Sequence, residues 1–122
     1  MVKAPAARPA IRRGAVWWAD LPEARGSGPG FRRPVVVVSS DAFNASHIQT
    51  VVVVVLTSNL RLASAPGNVR VPVRGAGLPR ESVANVSQVL TVDKDDLIEH
   101  AGQLRSATLE ALAIGLRLVL EL

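Results

Sequence analysis

Three clusters of polar residues interrupt apolar stretches of this chain, and each carries side chains that can bind phosphate or base edges. The first cluster, residues 25–33, combines glycines with Arg25, Ser27, Arg32 and Arg33. Glycines let backbone N–H groups approach an anion, and a guanidinium can bind phosphate through two parallel hydrogen bonds. The Lys-Ser/Thr ending of a P-loop is missing, so a simple surface connection is the alternative interpretation.

The second cluster is Thr57-Ser58-Asn59, which ends the apolar run 51–56. Two hydroxyls and an amide at the end of a buried strand are suited to contact phosphate or base edges. The alternative is a turn in which these side chains bond to their own backbone.

The third cluster, Asn85, Ser87 and Gln88, interrupts an otherwise apolar strand. Amide and hydroxyl side chains supply both donors and acceptors of hydrogen bonds. The alternative is that these residues are the polar side of an edge strand, or belong to a β-bulge.

The distribution of charge favours an anionic partner. The formal net charge is +4 at pH 7. Up to residue 90, four acidic residues oppose Lys3 and ten arginines, whereas acidic residues are in excess from residue 91 onward. A basic body of this kind suits an anionic ligand. A genome rich in G and C, which encodes Arg in place of Lys, is the alternative explanation.

The composition also excludes or disfavours several classes of protein. The absence of cysteine excludes disulfides, zinc fingers and thiol catalysis. With only His47 and His100, a histidine-rich metal site is disfavoured, and we expect neither a metal nor another cofactor. The first residues lack the apolar core of a secretory signal, and the run 51–56 is too short to span a membrane. We therefore predict a cytoplasmic protein without a membrane segment.

Hydrophobic periodicity and turn residues predict a mainly β protein of the α+β class, a small barrel-like domain with short helices. We expect a disordered tail at residues 1–10 and a single domain at residues 11–122. The predicted strands are 12–21, 35–40 (opened by Pro34), 48–56 (buried on both faces), 69–73 (an edge strand because of Pro72) and 82–92. The predicted connections are loops at 22–33 and 60–68, a turn or short helical piece at 41–46, and one helical turn at 94–97.

The C-terminal segment predicts an amphipathic helix that begins at Ser106 as its N-cap. Apolar residues recur at helical spacing and form one stripe, consisting of Leu109, Leu112, Ala113, Leu116, Val119 and Leu120. This stripe can serve the core of the domain or an interface between two copies, and both interpretations stay open.

Four segments together resemble the MazF/PemK family of toxins. Residues 13–21 are similar to the opening strand of that family, and residues 26–38 are similar to its signature loop and second strand. Residues 53–58 resemble the strand that ends in its threonine. Residues 82–93 resemble a later strand with a recurring Gln and a Thr-Val/Ile-Asp segment. The resemblance spans about residues 12–120 in the order of the family.

This resemblance implies a small SH3-like barrel with short helices that forms a symmetric homodimer. It implies the toxin of a type II toxin–antitoxin system, a sequence-specific endoribonuclease that inhibits translation and growth. In this family a ribose 2′-OH attacks the adjacent phosphorus without metal, which leaves a 2′,3′-cyclic phosphate and a 5′-OH. The implied partners are single-stranded RNA and an acidic, partly disordered cognate antitoxin.

By position, the resemblance implies that Arg33 and Thr57 are the catalytic pair. A fixed guanidinium would offset the charge that develops on the phosphoryl oxygens, and a hydroxyl would donate to the same oxygens. The residues implied to bind RNA are Arg25, Ser27, Arg32, Ser58, Asn59, Asn85 and Gln88.

The chain departs from the family pattern at positions that often supply an acid or a base. Gly28 occupies a loop position where many members have Glu, and Asn85 and Ser87 occupy the places of an Arg and an Asp in another branch. The sequence therefore does not identify the general base, for which the candidates are Glu23, Asp20 and His47. Two alternatives stay open: a non-catalytic member, and a toxin that acts on gyrase, because function does not follow from fold.

Overall fold

A computed structural model describes residues 9–21 and 31–122 of the chain. Within these residues, six antiparallel strands form one curled sheet in the order β4-β5-β3-β2-β1-β6. The strands are β1 (Ala15–Leu21), β2 (Phe31–Val37), β3 (Thr50–Thr57), β4 (Val69–Val71), β5 (Ser82–Asp93) and β6 (Leu97–Gln103). The helices are α1 (Asp41–Ala45), α2 (Val73–Ala76) and α3 (Ser106–Leu120), with 3₁₀ turns at Leu60–Ser64 and Lys94–Asp96. This architecture confirms the predicted fold class. Most of the predicted tail, and Glu23, Arg25, Ser27 and Gly28, lie outside the described residues.

The central strands β2 and β3 are apolar on both faces, which explains the long run of valines. Val53 and Val55 belong to a core that includes Trp17 of β1, whereas Val54 and Leu56 belong to a second core on the opposite face. Leu112 of α3 contributes to this second core. Burial of each such side chain stabilises the fold by about 1.5–3 kcal/mol. The prediction that β3 is buried on both faces is confirmed.

The predicted boundary of the second strand is wrong, because β2 begins before Pro34. Arg33 is already part of the strand and pairs with Ala19 of β1. A proline cannot donate a ladder hydrogen bond. Pro34 is tolerated here because the pairing of β2 with β3 starts only at Val35 opposite Val55. The strand therefore holds Arg33 more firmly than the predicted loop would.

A sixth strand, β6, was not predicted. It pairs with β1 at the edge of the sheet, and only Leu97 among its side chains is fully buried. Exposed Glu99 and His100 occupy its middle. Charged side chains are typical of edge strands, but they remove the hydrophobic alternation by which strands are recognised. At the opposite edge lies β4, which confirms the edge position predicted for residues 69–73.

The polar cluster of β5 forms a bulge. Val89 pairs with Val54 of β3, yet the next pair joins Asn85 to Val55. Residues 86–88 therefore have no partner on β3, and the strand bends locally.

Helix α3 packs on the sheet with only the first part of its predicted apolar stripe. Leu112 and Ala113 are buried, whereas Val119 and Leu120 are 43% and 50% exposed. The helix begins at Ser106, but its N-cap is Arg105, which makes no side-chain cap hydrogen bond, so the predicted N-cap is wrong by one residue. Among the described residues, no helix has the length and apolar content needed to cross a membrane.

Candidate active site

Arg33 and Thr57 lie at the same end of the two central strands. The register of β2 and β3 pairs Val35 with Val55. Arg33 and Thr57 are each two residues beyond that pair, and side chains two apart on a strand point to the same face. Both residues are half-buried. The strands therefore restrain the two side chains while their polar ends remain accessible to a ligand.

A cavity of about 460 Å³ opens at this end of the sheet. It is lined by Trp18, Arg33, Pro34, Leu56, Thr57, Ser58, Leu78, Pro79, Arg80 and Ser82. Two guanidinium groups and three hydroxyls are therefore set among apolar walls, with no carboxylate or imidazole among these lining residues. Such a lining favours an anion that also has an apolar or aromatic part.

The Thr57-Ser58-Asn59 cluster combines both interpretations offered by the sequence. The Thr57 hydroxyl oxygen accepts a hydrogen bond from the Asn59 backbone N–H at 3.1 Å. The Asn59 side-chain oxygen accepts from the Arg61 N–H at 3.2 Å and caps the following 3₁₀ turn. Because the Thr57 hydroxyl is an acceptor in its bond, its hydrogen stays available to a ligand. Thr57 and Ser58 line the cavity, whereas Asn59 is exposed beside it.

Arg32 is not among the residues that line the cavity. It pairs with Asp20 across β1 and points to the face opposite Arg33. Its guanidinium forms an ion pair with Glu99 of β6 and lies 5.5 Å from the centre of the Trp18 ring. The Glu99 carboxylate occupies one donor nitrogen of Arg32 and offsets its charge, which weakens Arg32 as a phosphate ligand.

Asn85 and Gln88 lie in the β5 bulge and bond to each other, since the Asn85 side-chain amide donates to the Gln88 side-chain oxygen at 3.1 Å. Asn85 is paired with Val55, two residues from Thr57 on the same strand. The register therefore places Asn85 on the same sheet face as Thr57, although neither Asn85 nor Gln88 lines the cavity.

The candidate bases named from the sequence do not meet at this site. Asp20 lies on β1 opposite Arg32 and is exposed. His47 is exposed and follows α1, which connects the far ends of β2 and β3. That end is separated from Thr57 by the eight residues of β3, about 26 Å of extended chain. Glu23 falls outside the described residues. In the part of the chain that the structure describes, no three acidic or histidine side chains are grouped to hold a metal ion.

Arg80 is a cavity residue that the sequence reasoning missed. It precedes β5, is exposed, and forms no ion pair with any other described residue. Arg70 differs in this respect, because its guanidinium lies 3.3 Å from the Glu81 carboxylate. In the sequence, Arg80 is one of many arginines and follows a turn. Only the fold brings it to the cavity that Arg33 lines.

Comparisons with known proteins identify the family. A sequence profile of the PemK-like, MazF-like toxins of type II toxin–antitoxin systems matches residues 12–120. The chain is 45% identical over 112 residues to endoribonuclease MazF6 of Mycobacterium tuberculosis, which covers 92% of this chain and 98% of that protein. It is 33% identical over 113 residues to endoribonuclease EndoA of Bacillus subtilis, with 89% and 97% covered.

Solved structures agree with these sequence matches. A mycobacterial endoribonuclease in complex with its cognate antitoxin is 30% identical and superposes with a TM-score of 0.73, covering 91% of this chain and 95% of that one. A MazE–MazF structure from Deinococcus radiodurans has a TM-score of 0.78 at 20% identity, with 94% and 99% covered, and it supports the fold alone. The chain therefore has the sequence and the fold of a toxin of a type II toxin–antitoxin system. The chain belongs to the PemK/MazF family.

Proposed function

We propose that this chain, an endoribonuclease toxin of the MazF/PemK family, cleaves single-stranded RNA at the cavity lined by Arg33 and Thr57. The observation that carries the proposal is the convergence of two guanidinium groups and three hydroxyls on one cavity, among lining residues that include no carboxylate. An RNA phosphate with its ribose and base suits that combination of cations, donors and apolar walls.

In the proposed reaction, the ribose 2′-OH attacks the adjacent phosphorus without a metal. The bond between O2′ and phosphorus forms, the bond to O5′ breaks, and the products carry a 2′,3′-cyclic phosphate and a 5′-OH. Negative charge develops on the phosphoryl oxygens during the attack. Arg33 stabilises that charge, and Thr57 donates its free hydroxyl hydrogen to the same oxygens. A guanidinium deprotonates rarely, so the main role of Arg33 is electrostatic.

Further residues of the site would bind the RNA on either side of the reacting phosphate. Arg80 and Ser58 line the same cavity and are positioned to bind a neighbouring phosphate. Asn59 and Gln88 would recognise base edges, as would Arg25 and Ser27 of the first loop, and Asn85 would act through its hydrogen bond to Gln88. The RNA contact proposed for Arg32 is weaker than that of Arg80, because Glu99 offsets the charge of Arg32.

The proposed partners are an antitoxin and a second copy of the chain. A surface that binds an anionic strand also suits an acidic antitoxin segment that folds on binding.

For the homodimer, α3 offers Ile114 and Leu118, which are one turn apart and 57% and 64% exposed. An exposed apolar stripe of this kind can pair with itself around a two-fold axis. The proposed targets are mRNA and, as alternatives, rRNA or tRNA, and the proposed location of the activity is the cytoplasm.

The test is incubation of purified, antitoxin-free protein with a long single-stranded RNA in EDTA, followed by mapping of the ends. We expect discrete cuts with 5′-OH ends and cyclic phosphates. Arg33→Ala should lower the rate by about 10²–10³-fold. Arg33→Lys should recover only part of it, because an ammonium lacks the two-pronged geometry of a guanidinium.

Intact RNA after incubation with folded wild-type protein would overturn the enzymatic proposal. RNA binding without cleavage would then favour a non-catalytic member of the family. Inhibition of gyrase without RNA binding would favour a toxin that acts on gyrase.

A further inference from the structure

A chain of hydrogen-bonded side-chain amides runs from Asn68, just before β4, into the β5 bulge. The register of β4 and β5 pairs Val69 with Ala84, so Asn68 falls opposite Asn85. The Asn68 side-chain nitrogen donates to the Asn85 side-chain oxygen at 3.4 Å and to the Leu62 carbonyl at 2.9 Å. Asn68 therefore joins the bulge to the 3₁₀ turn that follows Asn59.

The orientation of the Asn68 amide is fixed by its backbone partners. Its oxygen accepts from the Val86 N–H at 2.9 Å, and Val86 is one of the bulge residues that have no partner on β3. A backbone N–H can only donate and a backbone carbonyl can only accept, so the amide cannot be reversed without losing both bonds. Asn68 thus supplies the hydrogen bond that the bulge lacks.

The orientation of Asn85 follows in the same way. Its side-chain oxygen accepts from the Ser87 hydroxyl at 2.8 Å and from the Ser87 N–H at 3.4 Å, besides Asn68. All these groups are donors towards that oxygen, so the Asn85 nitrogen must face the other way. That nitrogen donates to the Gln88 side-chain oxygen at 3.1 Å.

We propose that Asn68 and Asn85 form a relay that fixes Gln88 as a hydrogen-bond donor towards the RNA. Because the Gln88 oxygen is bound by Asn85, its exposed NH₂ group is the end left for a ligand. An outward donor selects a base that presents an acceptor, such as a carbonyl or a ring nitrogen, and disfavours one that presents an amino group. Asn68 is a positioning residue in this scheme. The inference rests on the proposed function, since it concerns RNA at the same site.

Asn85→Asp is the decisive substitution, because it keeps the shape of the side chain and its acceptor oxygen. It removes only the NH₂ that donates to Gln88. Gln88 should then turn, donate to the carboxylate and present its oxygen outward. At one nucleotide position, the cleavage preference should shift towards bases that present an amino group. The ratio of the cleavage rate with such a base to the rate with a base that presents an acceptor should rise about tenfold.

Two controls separate this relay from the effect of an added negative charge. In the Gln88→Ala background the same substitution should leave the base preference unchanged, while any general loss of rate caused by charge persists. Ser87→Ala removes one donor to Asn85 without altering Gln88, and it should keep the wild-type preference.

Asn68→Ala tests the first member of the relay, and should flatten the preference at the same position. Asn44→Ala is the matched control, because Asn44 is a buried asparagine bound to Ser39 near α1, away from the site. Both variants should lower the melting temperature, but only Asn68→Ala should alter base preference.

The outcomes distinguish failure of the relay from failure of the proposed function. Cleavage patterns are mapped on a randomised RNA, and binding of the same RNA pool is measured in the Arg33→Ala background. If Asn85→Asp leaves the base preference unchanged in both cleavage and binding, the relay is overturned, whereas the nuclease proposal stands. Absence of both cleavage and RNA binding in the wild type overturns both proposals. Binding without cleavage overturns only the nuclease, and the bound sequences then decide on the relay.

Discussion

Thr57 lies directly opposite Val83 of β5, and the extension of the β2–β3 register places Arg33 on its other side. The threonine is thus at the centre of three adjacent strands, and its hydroxyl accepts the Asn59 N–H. This arrangement fixes the position of the hydroxyl oxygen and leaves its hydrogen available to a ligand.

Replacement of Thr57 should show whether its hydroxyl takes part in the reaction. Thr57→Val keeps the shape but has no hydroxyl, so it should lower kcat by about 10²-fold, the effect of one lost donor to the developing oxyanion. Thr57→Ser should retain most of the rate. Single-turnover cleavage of a short RNA measures both. Equal rates for Thr57→Val and the wild type would remove the threonine from the proposed chemistry.

Arg80→Ala should weaken RNA binding more than it slows the chemical step. One lost phosphate contact should reduce the slope of log affinity against log salt by about 0.7, the value for single strands. Arg70→Ala is the matched control, because it removes the same charge from a residue that is paired with Glu81 and does not line the cavity. Titration of single-stranded RNA at several salt concentrations provides the measurement. If the two variants show the same slope, Arg80 makes no phosphate contact.

Leu118→Asp should convert the proposed homodimer into a monomer. Leu118 is 64% exposed on α3, so a carboxylate there costs the isolated chain little but would be buried in the dimer without a partner. Sedimentation at micromolar concentration measures the mass. Val73→Asp changes another exposed apolar residue, on α2, and should leave the mass unaltered. A monomeric wild type, or a dimeric Leu118→Asp variant, contradicts this interface.

Gly115→Ala should destabilise the fold. A Cβ on Gly115 would overlap the carbonyl oxygen of Gly67, which itself has a positive φ of 83°. Overpacking of this kind typically costs about 1–3 kcal/mol. Urea unfolding measures the change, with Glu110→Ala on the exposed side of α3 as the control. A midpoint equal to that of the control would mean that the helix moves away from Gly67 without loss.

The sequence alone determined the features that depend on local pattern. Continuous β-branched residues fixed β3 as a strand buried on both faces, and Pro72 limited residues 69–73 to an edge. The apolar period of α3 showed a helix, and the order of four short motifs indicated the family. Each of these follows from side chains close together in the chain, where propensity and periodicity operate.

Only the tertiary structure decided which distant residues meet. It brought Arg80 to the cavity of Arg33 and turned Arg32 away to Glu99, although the two neighbouring arginines are alike in the sequence. Strand alternation sends the two arginines to opposite faces, and the register of β1 with β6 places Glu99 opposite Trp18, on the face of Arg32, where the ion pair forms. The polar edge strand β6 and the Asn68–Asn85 contact likewise depend on pairing between strands. Such pairing joins residues that are distant in the chain, so no local pattern in the sequence predicts it.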